Sequence, residues 1–266
     1  MQRPDLWTRY IWSHPANRER RVRALAQGIR VQADGRIRGR VTPVPLGDHS
    51  RLFAEVGSHA STLVAYANPP DFNEWQVWKR RLRRGDLFVD VGANIGTYTV
   101  LAIDVGAQVV AVEPQADAVE RLRQNLDLNG YDAEIVVAAL VGEEATSVSL
   151  AGDGTTAFVD FAAVGTTPAT TLDAVLDGRE VAGIKVDVEG AELEVLKGAQ
   201  DSLKNRRLAL IQLEWNDCSL DNYGVPRSDT QEFLEQFGYA LFRPDGKGNL
   251  VPCDGSLGSD VFAAPV

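Results

Sequence analysis

Phe88-Val-Asp-Val-Gly-Ala-Asn-Ile-Gly-Thr-Tyr-Thr, residues 88–99, opens as a strand and closes as the start of a helix. An apolar run ends in the acidic Asp90, Gly92 and Gly96 follow, and helical spacing begins at Thr97. Glycines here permit a tight turn and let a ligand approach the backbone, while the helix N-terminus presents unpaired N–H groups. The G-x-G-x-x-G spacing of a dinucleotide fingerprint is not met, because Asn94 holds the middle Gly position and Thr97 the last. A Gly-rich turn with no ligand is the plainer alternative for this loop taken alone.

Outward from this loop, short β-branched runs alternate with helical stretches. Leu87–Val91, Gln108–Glu113, Glu134–Val141, Gly183–Val188 and Leu208–Glu214 read as strands, with a short extra one at Ser147–Leu150. Thr97–Val105, Ala116–Leu128, Thr171–Leu176 and Ala191–Leu203 read as helices between them. Such alternation predicts parallel βαβ units and a sheet covered on both faces. The tail changes character: a helix near Asp229–Phe237, then strand-like Tyr239–Phe242 and Asp260–Ala263, suggest a partly antiparallel edge.

The first 85 residues do not alternate. Asn17–Gln27 reads as a basic helix, Gly28–Val41 as a hairpin centred on Asp34-Gly35, and Phe72–Arg84 as a helix carrying Trp75 and Trp78. Charge divides at the same place: residues 1–85 hold 16 Lys/Arg against 7 Asp/Glu, and residues 86–266 hold 11 against 30. The expected organisation is therefore a basic N-terminal cap over 1–85, serving substrate or dimer contacts, and an α/β domain over 86–266.

Two strand tips carry carboxylates where open α/β sheets place their ligands. Glu113, in Ala111-Val-Glu-Pro, lies 23 residues after Asp90 and can accept both hydroxyls of a ribose. Gly183-Ile-Lys-Val-Asp-Val-Glu delivers Asp187 and Glu189, a pair that is costly without a cation or a shared proton. Glu192, Glu194 and Lys197 read as a solvated face with i,i+3 pairing.

In order, VDVGANIGTYT (89–99), VEP (112–114), NLDLNG (125–130), TLD (171–173), IKVDVEGAELEVLKGA (184–199) and IQLE (211–214) resemble the class I S-adenosylmethionine-dependent methyltransferases, and within them the FkbM family. The resemblance covers roughly residues 86–215. It implies a Rossmann-like fold with a mostly parallel seven-stranded sheet, helices on both faces, and S-adenosylmethionine as cofactor. It further implies that Asp90, Gly92, Asn94, Gly96 and Tyr98 surround the methionine part, Glu113 and Pro114 the ribose, and Ala139 and Leu140 the adenine. Asp187 would lie near the sulfonium and acceptor, and Glu74 matches an acid the family often carries before its Gly loop.

Methyl transfer to an alcohol needs a group to take the hydroxyl proton. All three histidines, His14, His49 and His59, lie in the cap, so otherwise the catalytic residues are the carboxylates Asp187, Glu189 and Glu214. Asp187 and Glu214, with Asn216 beyond, form the ligand set for a divalent metal such as Mg²⁺ if one is used. Leu63-Val-Ala-Tyr-Ala-Asn-Pro-Pro resembles a strand followed by the NPP motif of nucleic-acid amino-methyltransferases, but Asp187-Val-Glu-Gly already fills the equivalent place, so nucleic acid is not the expected acceptor. Asp153–Phe161 and Trp215–Pro226 are acceptor-pocket candidates by location, as are Trp7, Tyr10, Trp12, Trp75 and Trp78.

The expected activity is O-methylation of a hydroxyl on a small molecule, sugar or natural-product scaffold. N-methylation of a small molecule or nucleic acid, and a non-catalytic binding module on the same fold, are the alternatives. Two cysteines, Cys218 and Cys253, no signal peptide and no membrane-length apolar run fit a cytoplasmic protein, with a homodimer as a further expectation.

Overall fold

The computed structural model describes residues 4–143, 145–152, 157–161, 163, 165–255 and 260–266. Its N-terminal part comprises α1 (Pro4–Ser13), α2 (Arg21–Arg38), β1 (Thr42–Leu46), β2 (Ser50–Ala54), α3 (His59–Tyr66) and α4 (Phe72–Arg81). The hairpin expected over Gly28–Val41 is absent, because α2 runs straight through Asp34-Gly35 and stops at Gly39 in the left-handed region (φ 60°). Packing explains the reversal. A Cβ on Gly28 would meet Ile11 Cδ1 at 2.9 Å, and one on Gly35 would meet Val56 Cγ2 at 2.5 Å, so both glycines serve close helix contact rather than a turn. The actual hairpin is β1–β2, turning at Gly47, whose amide and carbonyl both bond the Asn68 side chain (2.7 and 3.1 Å). Asn68 of the Asn-Pro-Pro stretch is thus a clasp on a turn. Leu63–Tyr66 before it is helical, so the strand required by the nucleic-acid reading does not exist.

From Leu87 onward the alternation holds: β3 (Leu87–Val91), α5 (Thr97–Asp104), β4 (Gln108–Val112), α6 (Ala116–Asn129), β5 (Glu134–Val136), β6 (Ala139–Leu140), β7 (Ser147–Ala151), β8 (Phe158–Asp160), β9 (Thr167–Thr170) and α7 (Leu172–Leu176). The chain continues through β10 (Gly183–Val186), α8 (Glu192–Lys197), α9 (Gln200–Lys204), β11 (Ile211–Glu214), α10 (Cys218–Tyr223), α11 (Arg227–Gln236), β12 (Tyr239–Pro244), β13 (Leu250–Pro252) and β14 (Asp260–Pro265). The main sheet has eight strands, not seven, in the order β13-β12-β14-β11-β10-β3-β4-β5. The five from β11 to β5 are parallel, and β14, β12 and β13 form the antiparallel edge, where β13 is the added strand.

Two further departures shape the site. Glu134–Val141 is not one strand: β5 ends the main sheet, and β6 leaves it to pair with β9 in a smaller sheet, carrying Ala138–Leu140 across the strand tips. The expected helix over Ala191–Leu203 divides into α8 and α9 where Gly198 lies against the Val141 carbonyl.

Side-chain alternation along the strands sorts residues into two cores. Phe88, Val109 and Ala111 face one side, where they join Ile11, Leu46, Trp75 and Trp78 of the N-terminal part. Val89, Val91, Val110, Ile184 and Ile211 face the other, beneath α7, α8, α9 and α11 residues such as Leu172, Leu196, Leu203 and Leu234. The order of connection reverses between β3 and β10, which makes their C-terminal ends the switch point where such sheets bind ligands. Among the described residues, no helix is long and apolar enough to cross a membrane.

Candidate active site

A cavity of about 670 Å³ opens at that switch point, within the size range of small-molecule sites. Its floor is the loop after β3. Gly92 (φ 76°) passes so close to the Asp187 carbonyl that any Cβ would collide with it, which joins the tips of β3 and β10. Asp90 points toward α5, where its carboxylate accepts from the Thr99 amide (2.8 Å) and hydroxyl (2.6 Å). Burial raises the Asp90 pKa, opposed by Lys185 and by those Thr99 bonds.

Glu113 is held from two sides. Its carboxylate accepts from the Asn94 amide at 2.8 Å and from the Gln115 amide at 2.9 Å. Each oxygen accepts one of these bonds and the Gln115 side chain bonds the group as well, which leaves acceptor capacity toward the cavity it lines. Asn94 acts here through its backbone, held at φ 50°.

The opposite wall centres on Lys185, buried in the middle of an apolar strand. Its Nζ lies 2.5 Å from Asp187 Oδ2 and 4.8 Å from the centre of the Tyr98 ring. Burial works against its charge, but Asp187 and Asp90 more than restore it, so its pKa is raised and the ammonium persists. The Tyr98 hydroxyl accepts from Gln212 Nε2 at 3.0 Å; the same nitrogen donates to Asp260 at 2.6 Å, and Gln212 Oε1 accepts from Trp78 Nε1 at 2.5 Å. Every polar atom of the Gln212 amide is thereby used, which locks Tyr98 beneath the lysine.

Asp71 stands at the rim, supplied by the N-terminal part. Solvent reaches it through the opening, yet protein on its other sides makes burial the leading cause of a raised pKa; Lys185 and a hydrogen bond with Tyr98 act the other way, and Asp187 reinforces the rise. His14 holds the loop bearing it, donating from Nε2 to the Pro70 carbonyl (2.8 Å) while Nδ1 accepts from the Ala16 amide (3.2 Å). Both ring nitrogens are occupied, so His14 is a strut and not a base. His49 does not line the cavity; the His59 side chain lies outside the described residues.

Carboxylates crowd the far end. Glu214 has one oxygen buried without a partner among the described residues, and burial, then Asp187, Glu189 and Glu192, push its pKa up to about 9. That bias toward the protonated form works against a role as proton acceptor. Glu189 sits in the left-handed region (φ 54°), and burial followed by Asp187 raises it too. Glu192 is buried rather than solvated: it accepts from the Val188 and Gly190 amides (3.3 and 3.2 Å) and clamps the turn after β10, while Glu194 and Lys197 do form the i,i+3 pair at 2.7 Å.

These features converge on one site, and more than half of the chain matches a known domain. The description "Methyltransferase FkbM domain" fits residues 90–241. The chain belongs to the FkbM methyltransferase family. This FkbM protein is 28% identical over 215 residues to the hexuronic acid methyltransferase AglP of Haloferax volcanii, across 70% of this chain and 81% of that one. It is similar to the solved tRNA (uracil-54, C5)-methyltransferase of Pyrococcus abyssi, with TM-score 0.47 and 15% identity over 84% of this chain and 43% of that one. A TehB-like methyltransferase from Corynebacterium glutamicum gives TM-score 0.43 and 18% identity over 76% and 90%.

Of the residues singled out in the FkbM chain, Asp90, Gly92, Asn94, Tyr98, Glu113, Pro114, Ala139, Leu140, Asp187, Glu189 and Glu214 all line the cavity. Gly96 does not; it caps α5 at φ 88° beside Leu122. Glu74 is also outside the wall, and Asp71 occupies the rim three residues earlier. Of the acceptor-pocket candidates, Ala157, Phe158 and Val159 line it, residues 153–156 lie outside the described residues, and Trp75 and Trp78 are core. The proposed metal set does not fit. Asp187 is already neutralised by Lys185, Asn216 Oδ1 accepts from the Cys218 amide at 2.8 Å, and no group of three His, Cys, Asp or Glu is arranged for a metal among the described residues.

Sequence reasoning passed over Asp71, Lys185, Gln212 and Asp260. Lys185 did carry a signal, a lone charge inside a strand buried on both faces, and Gln212 repeats it one strand over.

Proposed function

We propose that this chain is an S-adenosylmethionine-dependent O-methyltransferase acting on a hydroxyl of a sugar or other hydroxylated small molecule. The observation that carries the reading is Glu113, which retains acceptor capacity toward the cavity while Asp71 and the Lys185–Asp187 pair face the same space. When bound, the cofactor supplies an activated methyl group on a sulfonium. Glu113 accepts the ribose hydroxyls beside Pro114, Ala139 and Leu140 flank the adenine, and the backbone around Gly92 and Asn94 leaves room for the methionine part. Lys185 holds Asp187 in one orientation beside the reacting centre.

Asp71 takes the proton from the acceptor hydroxyl as the methyl is transferred. Its place at the rim, lining the same cavity as the Lys185–Asp187 pair, puts its carboxylate in reach of the acceptor, and Glu214, biased toward its protonated form, is left as a hydrogen-bond donor. Among the described residues lining the cavity Lys185 is the single cation against six acids, which favours a neutral hydroxyl over a carboxylate at the reacting position. The relative AglP is named a hexuronic acid methyltransferase, which supports a sugar as acceptor and makes the sugar carboxylate the competing position in the product analysis.

Calorimetry with S-adenosylmethionine and S-adenosylhomocysteine tests the cofactor, and labelled methyl transfer to a panel of sugars, with product analysis for O- or N-methylation, tests the acceptor. Binding of neither cofactor form sinks the proposal. Asp71→Asn is expected to lower kcat by about 10²–10⁴-fold with cofactor affinity unchanged; an unaltered kcat removes Asp71 from the mechanism.

A further inference from the structure

Of the eleven large hydrophobic side chains exposed among the described residues, six lie in the first 41: Leu6, Trp12, Val22, Ile29, Ile37 and Val41. Those 41 residues also contain ten arginines and three acids, whereas the whole chain has a net charge of −10. The two features share a surface. Along α2, Val22, Ala26, Ile29, Ala33 and Ile37 recur at i, i+4, i+7, i+11 and i+15, an arc of about 80° at 100° per residue. Val22 is 75% exposed and Ile37 81%. The buried face, through Ala24, Gly28 and Val31, lies roughly opposite, so α2 has one apolar face in the protein and a second one turned outward.

Arginines flank the outward stripe. Arg21, Arg23, Arg30, Arg36, Arg38 and Arg40 are all exposed, and among them only Arg38 meets a carboxylate within the described residues, Asp34 at 2.5 Å. Arg21 lies over the exposed Trp12 ring at 5.5 Å, which places the end of α1 beside the start of the stripe. An apolar strip bordered by cations, with a tryptophan at its edge, is the pattern of a helix lying in a bilayer interface.

We propose that the α1–α2 face is a peripheral docking surface for an anionic lipid membrane. Charge selects this occupant. A second copy docking through the same patch would set these arginines against their own counterparts across a two-fold axis. A nucleic acid would satisfy the arginines but leave Val22, Ile29 and Ile37 in water, whereas acyl chains bury them beneath the headgroups that the arginines contact. The acidic remainder of the chain is repelled by an anionic surface, which orients the docked protein.

The full-length protein is tested by co-sedimentation with phosphatidylcholine vesicles, with and without 30% phosphatidylglycerol as the anionic component. Partition onto the anionic vesicles is expected, at least about tenfold above the neutral ones, lost in high salt, and accompanied by quenching of Trp12 by brominated lipid. Ile29→Glu/Ile37→Glu is expected to abolish it while leaving melting temperature and S-adenosylhomocysteine affinity unchanged, since both side chains are exposed. Absence of binding, equal partition on both vesicle types, or a double variant that still binds overturns the proposal. So does light scattering showing that the double variant acts by dissociating a dimer, or tighter retention on a polynucleotide than on anionic vesicles.

Discussion

Glu214 shows how one carboxyl can report on a whole site. Burial and its acidic neighbours hold its pKa up to about 9, far above that of a carboxyl in the unfolded chain. Between the unfolded and folded pKa values the native state keeps a proton that the unfolded state has released. Stability contributed by this group is therefore full at acid pH and declines as pH rises toward 9. Glu214→Gln cannot ionise and escapes that loss. Its melting temperature relative to the natural protein is expected to climb between pH 6 and pH 9, equivalent to at most about 1.4 kcal/mol per pH unit; a difference constant across that range shows that Glu214 is ionised throughout. The carboxylates at strand tips, Glu113 and Asp187, could be recognised from the sequence because a strand end beside a Gly loop has few other reasons to be acidic. Asp71 could not, since its neighbours Pro69 and Pro70 read as a turn and its place at the rim comes from long-range packing.

Elements were legible where local pattern and tertiary demand agree. The short β-branched runs of β3 and β4, bounded by turn residues, fit strands buried on both faces, and α5 and α6 follow with helical spacing. Reading failed where a tertiary contact outweighs a local signal: Asp34-Gly35 favours a turn, yet Gly35 is spent on contact with Val56 inside α2. Gly183 is used in the same way between elements. At the first position of β10 it lies against the six-membered ring of Trp78, which brings α4 onto the sheet and lets the indole bond Gln212. Gly183→Ala would force that ring out of place. Overpacking of this kind is expected to cost about 1–3 kcal/mol in denaturant unfolding and, by loosening Gln212 and with it Tyr98, to lower turnover beyond any fall in the folded fraction. Unchanged stability would mean that α4 moves to accommodate the methyl group at no cost.

At the scale of the molecule, the charge boundary at Gly85-Asp86 is a boundary of composition, while the core crosses it. Ile11, Leu46, Leu52, Trp75 and Trp78 from the basic part pack in the same cluster as Phe88, Leu101, Val109 and Phe262 from the acidic part. Polar links run across it as well: Asn125 Oδ1 accepts from the Phe53 amide at 2.9 Å, Asn129 bonds Arg51 through both its amide groups, and Asp104 accepts from the Asp48 amide and the Ser50 hydroxyl. Removing residues 1–85 would strip one face of the sheet and leave several buried large side chains in water, each worth about 1.5–3 kcal/mol of burial. That sum exceeds the net stability of a typical domain. The full chain is accordingly expected to unfold in one transition by calorimetry, and residues 86–266 alone to be insoluble or to melt without cooperativity, losing cofactor affinity together with turnover. A soluble 86–266 fragment that binds S-adenosylhomocysteine as tightly as the full chain would show instead that the basic part is a separable cap whose work is confined to the acceptor.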